Sequence, residues 1–278
     1  MAVVLITGCG SGFGLLSALR FARAGEVVVA GVRDARRAEA LRDAQAAEGL
    51  AVEVIELDVG EPASVEAGVA RVLAEHGRID VLVNNAGRGM SGPVEETTDA
   101  DARCLFDTNL LGPLRMVRAV LPSMRARRSG VVVQVSSIAG RVSAPFAGIY
   151  SATKFALEAM SESLHYEVRP FGVRVVIVEP GSFPTGFDER RRHVGPGDGS
   201  PYGALHRRWE EASARLPGRE QTADPDAVAA AIHRAATRPD HPLRCLVGAD
   251  AELIDGLRRS LDDAAFEHTV RQALDFWE

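Results

Sequence analysis

Short apolar runs rich in β-branched residues recur along the first 180 positions, each followed by a stretch with helical spacing. Val3 to Thr7, Val27 to Val32, Val52 to Leu57 and Val81 to Asn84 are hydrophobic nearly throughout. Runs apolar at successive rather than alternate positions suit strands buried on both faces of a parallel sheet. Between them lie alanine- and arginine-rich stretches at 12–25, 34–48 and 61–76, whose apolar residues return at helical intervals. Glu61-Pro62 opens the third, and proline suits a first helical turn because its missing N–H would be unbonded there anyway. The pattern predicts a helix over 99–127, a strand over 131–136, a helix over 149–169 and a strand over 173–178. Such alternation implies right-handed crossovers, so the fold class read here is α/β, a doubly wound parallel sheet with helices on both faces.

The rhythm breaks at 186–222. That stretch carries Arg190-Arg191-Arg192, the Gly- and Pro-rich run 195–201 and a short amphipathic piece around Trp209. Only a helix over 223–237, a strand over 243–247 and two short helices follow, too little for a second domain. The expectation is one domain over 1–278, with 186–222 a substrate-loop insertion at the active edge and 223–278 completing the domain.

Composition removes several function classes. With 46% apolar and 25% charged residues the chain is globular, and a net charge of −6 argues against a nucleic-acid partner. Three cysteines, Cys9, Cys104 and Cys245, show no CxxC spacing. That excludes a disulfide scaffold and suits a reducing, cytoplasmic setting. No His/Asp/Glu cluster has metal-ligand spacing, so no metal is expected. Residues 1–19 carry no charge, yet they lack a basic leader and are interrupted by Gly8, Gly10, Gly12 and Gly14, so neither a signal peptide nor a membrane anchor is expected.

Candidate chemistry begins where the first strand runs into Thr7-Gly8-Cys9-Gly10-Ser11-Gly12-Phe13-Gly14 and then a helix. Glycines let backbone approach a pyrophosphate, and the helix N-terminus offers unpaired N–H groups with positive partial charge. The spacing is GxxxGxG, from Gly8, Gly12 and Gly14, and GxGxxG fits no register. Farther on, Tyr150 and Lys154 lie four apart on a predicted helix and so share a face. A free tyrosine titrates near pH ~10, and a neighbouring ammonium lowers that value by favouring the phenolate. Ser137 falls at a strand C-terminus, where open α/β sheets place ligands. Of the 32 basic side chains, Lys154 is the only lysine and the rest are arginine.

Taken in order, Thr7 to Gly14, Asn84-Asn85-Ala86-Gly87, Ser136-Ser137, Tyr150 to Lys154 and Pro180-Gly181 with Thr185 resemble the short-chain dehydrogenases/reductases of the TGxxxGxG/YxxxK branch. The likeness covers roughly 2–186 and extends weakly, around 223–249, to members similar to 17β-hydroxysteroid dehydrogenases. It implies a Rossmann-type domain and a homodimer or homotetramer formed through the helices at 99–127 and 149–169. It also implies roles. Tyr150 resembles the proton donor in reduction and acceptor in oxidation; Lys154 resembles the residue that holds the nicotinamide ribose and lowers the tyrosine pKa. Ser137 matches the carbonyl-orienting serine, and Asn109 the asparagine that kinks a helix and supports a relay water. Gly8, Ser11, Gly12, Phe13 and Gly14 would cradle the dinucleotide. Asp58 and Val59 would meet the adenine, and Asn85, Ala86 and Gly87 would line the adenosine side. Pro180, Gly181, Phe183 and Thr185 would lie near the nicotinamide.

Cofactor choice is read at the end of the second strand, Ala30-Gly31-Val32-Arg33-Asp34. The usual acidic position falls on Gly31, and Arg33 can meet a 2′-phosphate, which favours NADP(H) over NAD(H). A solvated turn remains the other reading of Arg33, and a solvated face that of Arg190 to Arg192. The expected activity is hydride transfer between a nicotinamide and a ketone or secondary alcohol. The substrate is expected to be a small molecule with a hydrophobic carbonyl, and the likeness to hydroxysteroid dehydrogenases implies a bulky one. Two alternatives stand beside it: a catalytically silent dinucleotide-sensing regulator, and a nucleotide-sugar epimerase or dehydratase.

Overall fold

Valine and isoleucine at successive positions form strands because their branched side chains fit a pleated surface covered on both sides. In the computed structural model, which describes residues 1–187, 189–195, 199–215 and 223–275, seven such strands make one parallel sheet. They are β1 (Val3–Thr7), β2 (Val27–Val32), β3 (Val52–Glu56), β4 (Val81–Asn84), β6 (Gly130–Val135), β7 (Val173–Pro180) and β9 (Arg244–Val247). The order is β3-β2-β1-β4-β6-β7-β9. The order of strands runs outward in opposite directions from β1 and β4, the switch point where open sheets of this kind bind ligands at strand C-termini. The last strand joins by Ile177↔Arg244 to Pro180↔Val247, so the C-terminal segment extends the same sheet.

Alternate strand residues feed two apolar layers. Val4 and Ile6 face a core closed by Ala18, Phe21 and Ile232 from α1 (Gly12–Arg23) and α8 (Asp226–Thr237). Val3 and Leu5 face the other, with Val69 of α3 (Pro62–His76), Met116 of α5 (Gly112–Arg127) and Leu164 of α6 (Gly148–Val168).

Two predicted helices are divided. The stretch 34–48 becomes a 3₁₀ turn, Ala35–Ala38, and α2 (Glu39–Glu48), because Asp34 caps the turn by accepting from Arg36 N. The stretch 99–127 becomes α4 (Asp99–Phe106), a π turn over Asp107–Leu111, and α5. Pro113 has no N–H to give the carbonyl of Asn109 one α-turn earlier, so the wider turn steps round the missing donor.

Part of the insertion, residues 188, 196–198 and 216–222, lies outside the described residues. Its described parts are anchored at two places. A two-residue strand β8 (Arg192–His193) pairs with β5 (Met90–Ser91), just after β4. Helix α7 (Gly203–Ala214) buries Trp209 and Ala212 against Leu274 of α10 (Asp263–Leu274).

Candidate active site

The turn from β1 into α1 is closed around absent side chains. Gly8 has φ +76°, and a Cβ there would stand 2.8 Å from Ala86 Cα; one on Gly14 would stand 2.4 Å from the Gly8 carbonyl oxygen. The turn is held from β4: Asn85 Nδ2 donates to the carbonyls of Thr7 (2.9 Å) and Gly8 (3.2 Å). Thr7 Oγ1 accepts from the N–H groups of Asn85 and Ala86. Thus the Asn85 amide holds the loop itself, and Thr7 is the joint that sequence reading passed over. Ser11 makes no side-chain cap, and no acidic residue stands in the first turn of α1, so the helix N-terminus keeps its positive end unneutralised.

The other expected dinucleotide residues gather along the same edge. Thr185 Cβ lies where a Cβ on Gly12 would meet it at 3.2 Å, and Phe183 meets Phe13 edge-on at 5.8 Å. Gly181 follows β7 against Asp250, whose carboxylate accepts from Ser182 N at 2.7 Å. Arg33 is exposed at the end of β2, while Asp34 is engaged by the Arg36 guanidinium at 2.8 Å. Asp58 accepts from Gly60 N, and Val59 is buried against Gly112.

At the start of α6, Lys154 is buried and its Nζ donates to the Val135 carbonyl at the end of β6, at 3.0 Å. Burial pushes the ammonium down to about 8, and the carboxylate of Glu158, one turn on, partly offsets it. Lys154 Nζ stands 5.9 Å from the Tyr150 ring centroid. Tyr150 is half-buried, its ring 6.1 Å from that of Phe187 in the insertion. Ser137, two residues past the end of β6, accepts from Ala139 N at 3.1 Å, opening the turn that packs against α6 at Gly140. Asn109 is buried in the π turn, where Nδ2 donates to Arg88 O (2.9 Å) and Thr153 Oγ1 (3.1 Å) while Oδ1 accepts from Arg88 N (2.8 Å). Thr153 in turn donates to Tyr150 O at 2.7 Å. Tyr150 and Lys154 thus share the first turns of α6, Asn109 reaches that helix through Thr153, and Ser137 opens the turn after β6 that packs on it.

Phe146, in the left-handed region at φ 60°, packs with Leu205 and Trp209 of α7 and lies edge-on to His206 at 4.8 Å. His193 of β8 bonds Ser91 of β5 at 3.0 Å. Arg192 pairs with Asp101, so this member of the arginine run ties the insertion to α4. Away from the site, Glu53, Glu75 and His76 come together at the sheet edge, a grouping spacing did not reveal because Glu53 arrives from β3. Arg71 already bonds both carboxylates.

A family model described as short chain dehydrogenase matches residues 2–194. The chain belongs to the short-chain dehydrogenases. It is 34% identical to a 3-ketodihydrosphingosine reductase of Bacteroides thetaiotaomicron, over 97% of this chain and 96% of that protein. It is 42% identical to rat estradiol 17-beta-dehydrogenase 1 over 74% of its length, and spans only 59% of that relative. A solved short-chain dehydrogenase from Streptomyces avermitilis superposes with TM-score 0.82 at 39% identity, over 99% of this chain and 97% of that one. Two others carry nicotinamide dinucleotides: a metagenomic oxidoreductase with NADP (28% identity, TM-score 0.71, 88% and 96% covered) and a Burkholderia phymatum dehydrogenase with NAD (28%, 0.78, 93% and 92%). The protein is an oxidoreductase of this family. Among the described residues no helix is long and apolar enough to cross a membrane.

Proposed function

We propose that this short-chain dehydrogenase reduces a bulky hydrophobic ketone, or oxidises the corresponding secondary alcohol, with NADP(H). The observation that carries this reading is the joint placement of Tyr150 and Lys154 on one face of α6 beside the end of β6. The glycine cradle, the uncapped N-terminus of α1 and the Phe13–Phe183 contact fit a dinucleotide, which Gly8, Gly12, Gly14, Thr185 and Lys154 would hold. When bound, that cofactor supplies or accepts the hydride.

The chain's own residues do the rest. Ser137 Oγ donates to the substrate oxygen and orients the carbonyl. Tyr150 Oη gives that oxygen its proton in reduction and takes it back in oxidation. Lys154 keeps the phenol acidic enough for both directions, since a cation beside a phenol stabilises its anion. Asn109, fixed by Arg88 and Thr153, holds the π turn against α6.

The 2′-phosphate preference rests on Arg33 at the end of β2 and on Asp34 being occupied by Arg36. Phe187, beside the Tyr150 ring, favours an apolar substrate body. The exposed Phe155 and Tyr166 of α6, with Leu111 of the π turn, support a homo-oligomer built on those elements. The test is oxidation of NADPH and NADH in parallel over a panel of small and bulky ketones. NADPH turnover with the bulky apolar members is expected; turnover confined to NADH, or to small polar carbonyls, contradicts the finer reading.

A further inference from the structure

Behind Lys154, away from the substrate, lies a buried cluster of charges that the proposed chemistry does not use. Glu158 is one helical turn after Lys154 and is buried, as is Glu179 on β7. Arg244 on β9 reaches both: its Nε donates to Glu158 Oε2 at 3.1 Å and stands 3.7 Å from Glu179 Oε1. The same guanidinium binds the more exposed Glu162 of α6 at 2.8 Å. From the turn after β6, Arg141 stands 3.8 Å from Glu179 and bonds the buried Asp255 of α9 (Ala249–Ser260) at 3.0 Å. Gly140 makes the close packing possible, since a Cβ there would meet Ser136 Oγ at 2.9 Å and Glu158 Cγ at 3.0 Å. Arg244 and Asp255 both lie beyond the residues that match the family model.

Two buried carboxylates facing one guanidinium do not both hold full charge, because like charges close together favour a shared proton. Arg244 decides between them by geometry, bonding Glu158 and only approaching Glu179. Burial, and then the neighbouring Glu158, raises Glu179 to about 8, with Arg141 and Arg244 pulling the other way. Glu179 is therefore the carboxylate that takes up a proton, while the guanidinium of Arg244 pairs with Glu158.

We propose that Glu158, held by Arg244 of the C-terminal strand, is the positioning residue that keeps the buried Lys154 an ammonium. The consequence for catalysis rests on the functional reading above; the electrostatic link does not. A buried ammonium is favoured by a nearby anion, and Glu158 is the buried carboxylate one helical turn from Lys154 on α6. The C-terminal segment thereby acts on the proton-transfer site without touching substrate.

Having a single lysine makes the link directly measurable. Protein labelled with ¹³C at lysine Cε gives one side-chain resonance, whose shift against pH reports Lys154 alone. The wild-type midpoint is expected at about 8, and E158Q should lower it by about one pH unit or more, as loss of an adjacent opposite charge does. E162Q removes a carboxylate from the same guanidinium at the surface and should move the midpoint by less than about 0.3 unit. Far-UV circular dichroism checks each fold; if E158Q does not fold, E158M, which needs no polar partner, takes its place. An unmoved midpoint in a folded Glu158 variant overturns the proposal, as does failure of both variants to fold, which would make Glu158 a stability residue. In turnover, the pH profile of kcat/KM should move with the lysine midpoint in E158Q. A wild type whose lysine titrates as stated but which turns over no ketone supports the Lys154–Glu158 link and overturns the functional reading instead.

Discussion

Lys154 and Glu179 show how the same burial acts oppositely on a cation and an acid. Lys154 is held near 8 against an ordinary 10.5, and Glu179 near 8 against 4.5. Between pH 4.5 and 8 the folded chain binds more protons at Glu179 than the unfolded chain does. The stability that this group contributes is full below its unfolded value and is lost as pH rises through the folded one. Lys154 runs the other way and adds stability between 8 and 10.5. E179Q keeps the shape and removes the titration, so its Tm should fall less than the wild-type Tm between pH 5 and 8; equal slopes would contradict the assignment. At Lys154 itself, arginine conserves charge but is larger and planar, and the Val135 carbonyl leaves a compact ammonium 3.0 Å away. K154R should lower kcat by roughly 100-fold or more, the scale of a lost acid–base contribution, and steady-state kinetics checks it.

Elements explain what could be read from the chain in advance and what could not. The β1 turn, the ends of β4, β6 and β7 and the start of α6 were legible because each carries its chemistry within a few consecutive residues. A strand end fixes the backbone, and the next turn fixes the side chain. Asn85 was assigned to lining the adenosine side, but its amide is tied to Thr7 and Gly8, a pairing across 77 to 78 positions that local spacing does not encode. The division of 99–127 was half legible: the family likeness implied a kink at Asn109, whereas the wider turn follows from Pro113, which lacks the N–H an unbroken α-helix would use there. Arg244 was illegible altogether, since nothing near it in sequence resembles the carboxylates it serves. At the β1–α1 turn, G14A places a Cβ 2.4 Å from the Gly8 carbonyl oxygen, backbone that cannot swing aside. The expected cost is about 1–3 kcal/mol of stability from overpacking, with weakened dinucleotide binding, read by thermal unfolding and by NADPH fluorescence titration.

Across the whole molecule, the segment after residue 186 serves the site from two directions. The described parts of the insertion are anchored through the β5–β8 pair and the Trp209–Leu274 cluster, while β9 reaches Glu158 of α6 through Arg244 and α9 reaches Arg141 through Asp255. Fold class followed from the alternation of strands and helices. The wiring of the last third did not, because it depends on which distant charges the sheet brings together. Assembly is a property of this scale too. Phe155 is 45% exposed on α6, and F155R should dissociate the proposed homo-oligomer, seen as a drop to the monomer mass by light scattering; an unchanged mass places the contact elsewhere. The central claim is that Tyr150 moves the proton while Lys154 keeps it acidic. Turnover of NADPH with a bulky ketone by Y150F, whose fold and dinucleotide affinity are verified, tests it most directly. The ring stays in place and the hydroxyl is gone, so kcat should fall by about 100-fold or more. A Y150F enzyme that turns over as fast as wild type would contradict the mechanism.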